Sequence, residues 1–354
     1  MVQLVAVSLL PLFTNQLEAA ETRLQIAERC VQAEMHTGQA RAILGRVLAL
    51  RGSIAGYADD VTRSVSLSQQ ALELIPEEDA ISRVGAVVTA AHAYRANGDV
   101  TRATEREVAA ADALIHAWDN PFAAVRSITL LARLYILQGR LRQAADTYAQ
   151  VEQLIPRPEI LHTFFSSLYY YFCLGDLLRE WNELAAAERQ LAQGMALVKE
   201  TLTVEPFVAM LGYTSLARLQ QACGNTREAL EILDALVHLA GQRHFPPHLL
   251  AQEAAVRARL ELGQGNLAAA IRWADGGGLS TRDVELPYFL EDEYLSLVRV
   301  RIAQGCDDPE SPFLQEVLRL LDRLLRDAEA KARQGRERRF ACTFLLFKRG
   351  SSNE

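Results

Sequence analysis

The residues able to do chemistry are few and poorly grouped. His244 and His248, in His244-Phe245-Pro246-Pro247-His248, stand four apart, the spacing that on a helix aims two imidazoles at one metal. The intervening prolines forbid that helix, and the stretch reads as a surface loop. Glu291-Asp292-Glu293 offers paired carboxylates for acid–base work or for a cation. Carboxylates at a helix start are also favoured by the macrodipole alone, and they are read as surface groups. Lys331, Arg333, Arg336, Arg338 and Arg339 form a basic stretch of the kind that grips phosphates. It falls at the end of a long helical pattern, where cations suit the dipole, and no aromatic side chain interleaves for base stacking. No strained nucleophile turn is present. Catalytic residues, metal ligands and cofactors are therefore assigned as none, and an enzyme is not expected.

A better signal lies in the helical stretch 159–181. Tyr169, Tyr170 and Tyr171 are consecutive, about 100° apart around a helix, so they are not expected to face one core. Leu161, Phe164, Leu168 and Tyr171 form a packing stripe, whereas Thr163, Ser166, Ser167 and Tyr170 form a polar one with a single aromatic ring. A surface of that kind holds a polar small molecule or a peptide through hydrogen bonds and ring stacking. These four residues are the candidate effector- or partner-binding site, although an ordinary wet helix face would look the same. Trp181 reads as a packing residue at the following turn.

The elements that must position these residues follow from composition and repetition. The 354 residues are 50% hydrophobic and 23% charged, enough apolar content for a packed core and too much for general disorder. A net charge of -7, with only Lys199, Lys331 and Lys348 as lysines, argues against nonspecific nucleic-acid binding. No apolar run reaches the length of about 20 residues that a membrane helix needs. Val2 to Phe13 resembles a signal-peptide core, but no Lys or Arg precedes it and no small-residue cleavage site follows. It reads as a buried helix. Five scattered cysteines without a CxxC fit a reduced compartment, and the expected location is cytoplasmic.

Turn signals recur at Asn15, Gly56, Gly98, Gly139, Asn182, Gly224, Gly265 and, more weakly, Gly305, a period of about 41 residues. Each is a residue type that readily takes left-handed φ at a helix C-terminus. Small residues such as Ala103, Ala144, Ala187, Ala229 and Ala270 follow five positions later, where two helices of a hairpin approach closely. Between the marks the apolar period is helical, and prolines fall mainly between hairpins. The pattern predicts an all-α fold, a right-handed superhelix of about eight TPR-like helical hairpins. First helices are expected at 36–55, 79–97, 121–138, 159–181, 205–223, 249–263 and 287–304, after a short one at 1–14. Second helices are expected at 16–34, 58–74, 100–117, 141–154, 184–201, 226–241, 267–275 and 313–334. Such an array is quasi-one-dimensional, each hairpin burying its apolar face against its neighbours.

Some stretches are more specific than a generic tetratricopeptide. Asp176-Leu177-Leu178-Arg179-Glu180-Trp181-Asn182-Glu183-Leu184-Ala185-Ala186-Ala187-Glu188 resembles the "LLYEWN-L-AAE" signature of MalT-type regulators of the LuxR class. Arg272-Trp273-Ala274, Gly278-Leu279-Ser280 and Glu293-Tyr294-Leu295-Ser296-Leu297-Val298-Arg299-Val300 are similar to that family's "RWA…GLS…EYL-LARV" run, and Leu318 to Glu329 is similar to the helix after it. The resemblance covers about residues 4–339. It implies the middle, superhelical module of proteins that also carry a signalling ATPase and a helix-turn-helix. No Gly-x-x-x-x-Gly-Lys-Ser/Thr occurs, so ATP binding is not carried over, nor is DNA binding.

The expected organisation is therefore a MalT-type effector and interaction domain at 1–339 and a non-repeat tail at 340–354. A truncated or frameshifted piece of a longer regulator is the expectation, with a stand-alone TPR protein–protein interaction scaffold as the alternative. The partners implied are a small-molecule effector or a protein or peptide on the concave face, with no direct nucleic-acid contact and no membrane. Val2, Leu4, Val5, Leu9 and Leu10 at one end, and Phe340, Phe344, Leu345 and Phe347 at the other, lack obvious outer neighbours. Self-association through such uncapped ends is expected.

Overall fold

The fold was taken from a computed structural model. It describes residues 17–343 apart from 33–35, 58–59, 97, 118–120, 155–164, 201–205, 244, 246, 284–285, 287–289, 306–311, 336–337 and 339. Among the described residues there are fifteen principal helices and no strand. They are α1 (Leu17–Gln32), α2 (Gly38–Tyr57), α3 (Val61–Leu74), α4 (Ala80–Ala96), α5 (Val100–Ala117), α6 (Pro121–Leu137), α7 (Leu141–Leu154) and α8 (Phe165–Glu180). There follow α9 (Leu184–Glu200), α10 (Pro206–Ala222), α11 (Thr226–Arg243), α12 (Pro247–Gly263), α13 (Leu267–Gly276), α14 (Glu291–Gly305) and α15 (Pro312–Ala330). The helix expected at 1–14 lies outside the described residues, as do Phe344, Leu345 and Phe347.

The turns explain why the chain breaks where it does. Gly98, Gly139, Asn182, Gly224 and Gly265 all have left-handed φ, between 62° and 84°. After α10, Asn225 N–H donates to Gln220 O at 2.8 Å and Gly224 N–H to Gln221 O at 3.0 Å. This pair of bonds satisfies the last carbonyls of the helix and turns the chain back. Asn182 and Gly265 repeat it after α8 and α12. The next helix is then capped. Asn266 accepts from Ala269 N–H at 3.3 Å and Asp99 from Arg102 N–H at 3.1 Å. Gly56 departs from its expected role, because α2 continues through it. Together with Gly45 and Gly52 it lines the face of α2 against α3, where added Cβ atoms would meet Ile75, Ser68 and Ser64. Its glycine serves close helix approach, not a turn. Gly305 ends α14 without left-handed φ.

The chain divides into two compact units, residues 1–135 with 142–166 and residues 136–141 with 167–354. In the first, α1 packs on α2, α2 on α3 and α4, and α4 on α5. In the second, α10 packs on α9, α11 and α12, while α14 packs on α12, α13 and α15. First and second helices bury themselves differently. Second helices bury one stripe, as in Ala20, Leu24, Ala27 and Val31 of α1 or Ala229, Leu233, Leu236 and Ala240 of α11. First helices are covered on several sides: residues 168–173 of α8 are buried without interruption, and α14 is buried from Glu293 to Val298. Hydroxyls inside them bond back to their own turns, Thr129 to Val125 O at 2.7 Å and Thr214 to Met210 O at 2.8 Å.

The terminal hairpin differs from expectation at one point. Phe340, expected at an open end, is 1% exposed and packs with Tyr294, Val298, Leu320 and Leu324. The core of the second unit thus extends at least to that residue.

Candidate functional site

Glu291 and Glu293 are not the surface carboxylates that the helix start suggests, for each is 1% exposed. Glu291 pairs with Arg333, itself fully buried, which also donates to Asp327 at 2.7 Å. Lys331 adds a contact to Asp327 at 3.0 Å. Burial opposes ionisation of Asp327, yet its bonds to Arg333 and Lys331 outweigh that and hold its carboxyl below the usual range. Nearby, Tyr294 O–H donates to Asp283 at 2.8 Å, and burial with that carboxylate raises the phenol above its ordinary value. Arg282 and Thr281 bind Glu316. Acids and bases are here arranged as pairs that fasten α14, α15 and the 280–283 turn together. Of the basic stretch, Arg333 thus supplies a buried clasp.

The polar stripe of α8 is placed as follows. Thr163 lies outside the described residues, and Ser166 belongs to the helix. Ser167 is 0% and Tyr170 2% exposed, so these two stand inside the fold and not on an open wall. Ser167 Oγ has no hydrogen-bond partner. All three tyrosines are buried, although consecutive positions point in directions about 100° apart. A helix covered from several directions has core on more than one side. Tyr169 faces Phe207 at 6.4 Å between ring centroids, and Tyr170 faces Tyr171 at 5.4 Å. Trp181 is a surface residue at the turn, 36% exposed.

A groove of about 440 Å³ opens in the second unit between α9, α10 and α11. It is lined by the apolar Ala192, Met195, Ala196 and Leu216 together with Glu188, Lys199, Gln220 and Glu228. Its volume falls in the range of small-molecule sites. No sequence spacing marks it, because its walls come from three helices. Elsewhere, Glu253 is buried beside Arg257, and burial outweighs that pairing and raises its carboxyl above the ordinary range. In the first unit Arg51 binds both Glu21 at 2.8 Å and Glu28 at 2.5 Å. His244 lies outside the described residues, α12 begins at Pro247, and Phe245 is buried. Among the described residues no group of His, Cys, Asp and Glu has the arrangement of a metal site, and no helix is long and apolar enough to cross a membrane.

Comparison with known proteins identifies the fold and the family. The MalT-like TPR region matches residues 45–343. The HTH-type transcriptional regulator MalT of Cronobacter sakazakii is 24% identical over 307 residues, 84% of this chain and 32% of that protein. MalT of Klebsiella pneumoniae is 24% identical over 305 residues with the same shares. The chain thus spans about a third of the length of the curated relatives it matches. Among solved structures, Rap protein complexed with competence and sporulation factor superposes with a TM-score of 0.63 at 11% identity, over 99% of this chain and 98% of that one. The left-handed turns, the tightly paired helices and the match across 45–343 lead to one conclusion: the chain belongs to the MalT-like TPR region family, a helical interaction module.

Proposed function

We propose that this chain is the non-catalytic sensor module of a MalT-type regulator, binding a small-molecule effector or a regulatory protein in the cytoplasm. The carrying observation is the family match over residues 45–343. In a MalT-type regulator such a module would pass its bound state to parts beyond the matched third, the ATPase and the helix-turn-helix. The proposed effector contacts are Thr163, Ser166, Ser167 and Tyr170. The unpartnered hydroxyl of Ser167 supports them, since a buried polar group without a partner costs about 1–3 kcal/mol that a ligand's donor or acceptor would offset.

Thermal-shift screening of the purified chain against cytoplasmic metabolites, followed by titration calorimetry, tests this reading. A saturable ligand should raise Tm and lose at least tenfold in affinity in Tyr170→Phe or Ser167→Ala. Ligands indifferent to both changes would move the site elsewhere. Finding neither a ligand nor a regulatory protein that binds would remove the sensor reading.

A stand-alone scaffold that grips a protein or peptide is the second reading. It is favoured by Rap protein, which has this fold over nearly its whole chain and whose structure is a complex with competence and sporulation factor. Binding of a partner by this chain alone, without any response to metabolites, would select it.

A further inference from the structure

Along α9, the groove shared with α10 and α11 is lined by Glu188, Ala192, Met195 and Lys199, at steps of four, three and four residues. That spacing is one helix face, and its ends stand about 16 Å apart along the axis. Two residues along a helix is a rotation of about 200°, so Ala192 and Ala196 point away from Gly194, the position that meets Phe172 of α8. Five residues link α9 to α10, and packed helices so joined run antiparallel. The ring of Phe172 lies against both Gly194 and Gly212, which puts those two positions level. Counting back along α9 and forward along α10 then brings Glu188 level with the turn from Leu216 to Gln220. Glu228 joins them, because Gln220 and Glu228 each lie four residues from the left-handed Gly224.

Two carboxylates thus belong to one end and an ammonium to the other, with Ala192, Met195, Ala196 and Leu216 between them. Among the described residues, Glu188, Lys199 and Glu228 pair with no charge of the fold, whereas Arg227 and Glu231 beside them pair with each other at 3.4 Å. Gln220 is buried, and its Oε1 accepts from Asn225 Nδ2 at 2.9 Å, which fixes that side chain at the turn. Each end selects by sign. The two acids attract an ammonium and repel a carboxylate, and Lys199 does the reverse. A diamine or a fatty acid therefore meets repulsion at one end. The apolar stretch in the middle gives a peptide group no hydrogen-bond partner, so burying one there costs free energy, whereas methylenes gain by the same burial.

We propose that the groove binds a small aliphatic zwitterion, its ammonium at Glu188 and Glu228, its carboxylate at Lys199 and its methylene chain over Ala192, Met195 and Leu216. Charge-assisted contacts of about 3 Å at each end leave about 10 Å between the two charges of the ligand. An extended chain of about eight bonds, advancing about 1.25 Å per bond, covers that distance. The groove, at about 440 Å³, has room for it. This site is apart from the α8 stripe and stands whether or not that stripe binds an effector.

The test is ligand-observed NMR titration of the full chain with 8-aminooctanoate, which has that charge separation. Comparison ligands are octylamine, octanoate, the shorter 4-aminobutanoate, and tri-alanine, which has the same separation but peptide groups in its middle. 8-Aminooctanoate should bind at least fivefold more tightly than each of them. It should lose at least fivefold in Glu188→Gln/Glu228→Gln and in Lys199→Gln, and keep its affinity in Glu105→Gln, an exposed acid of the first unit. Ala192→Leu, at an exposed position, should fill the groove and weaken binding at least tenfold. Circular dichroism checks folding, and Lys199→Gln with Ala192→Leu decides if the double variant fails to fold. No saturable binding, unchanged binding in the folded groove variants, or equal binding of any comparison ligand would overturn the proposal. An effector found through Ser167 and Tyr170 with no binding of 8-aminooctanoate would overturn this inference alone and leave the sensor reading standing. Binding of 8-aminooctanoate that depends on Lys199 and ignores Ser167→Ala would support it.

Discussion

The ring of Phe172 lies where a Cβ on Gly212 would stand, 2.4 Å from its Cζ. Gly194 of α9 meets the same ring from another helix, also at 2.4 Å. Phe172 is fully buried between them, so two glycines form the socket for one aromatic side chain. Gly212→Ala should destabilise by about 1–3 kcal/mol through overpacking, and Phe172→Ala by about 3–5 kcal/mol through the cavity left behind. Pairing Gly212→Ala with Phe172→Leu should recover part of the loss. Denaturant unfolding followed by circular dichroism reads all three.

Arg333 and Glu291 form an ion pair with almost no exposure at either partner. Removing Arg333 takes from Glu291 and Asp327 the buried cation they share. Arg333→Met should therefore cost about 3–5 kcal/mol. Adding Glu291→Leu should restore a substantial share, as measured by thermal melting of single and double variants.

Ala332 ends α15 in the left-handed region at φ 54°, with Arg333 N–H bonded to Ala328 O at 2.8 Å. Its position is one that glycine fills more cheaply. Ala332→Gly should be neutral or stabilising by up to about 1 kcal/mol, and Gly224→Ala destabilising by about 1–2 kcal/mol. A matched pair of melting curves decides both, since nothing crowds a Cβ at Gly224 and backbone strain is the whole effect there.

Asp327, with its carboxyl held below the ordinary range, sets a pH dependence. Its contribution to stability is fully present above the unfolded value, near 4, and is lost as pH falls through the lower folded one. Asp327→Asn should lower Tm at pH 7, and the gap from wild type should narrow as pH falls below about 4.

The sequence reveals helix breaks well where one residue carries the whole signal. Gly98, Gly139, Asn182, Gly224 and Gly265 each announce a left-handed turn, and the boundaries around them fall within a few residues of expectation. Gly56 misleads because glycine has a second use, close approach to Ser64 of the next helix. Glu291 and Glu293 mislead for another reason. The partner of Glu291 is 42 residues away, and no local pattern separates a buried clasp from a solvated acidic helix start. The α8 stripe shows the same limit: helical spacing puts Ser167 and Tyr170 on one face but does not count the helices packed around it.

Because α8, α10 and α14 are covered on several sides, none of them can serve as an outside edge. A shortened version that stops after α10, or begins with α14 lacking α12, would present a wall built for contact. Trimmed versions meant for crystallisation or display should keep each such helix between its neighbours. Cuts placed just after a left-handed turn will yield sticky products, whereas cuts after α9 or α11 leave a one-sided helix facing water.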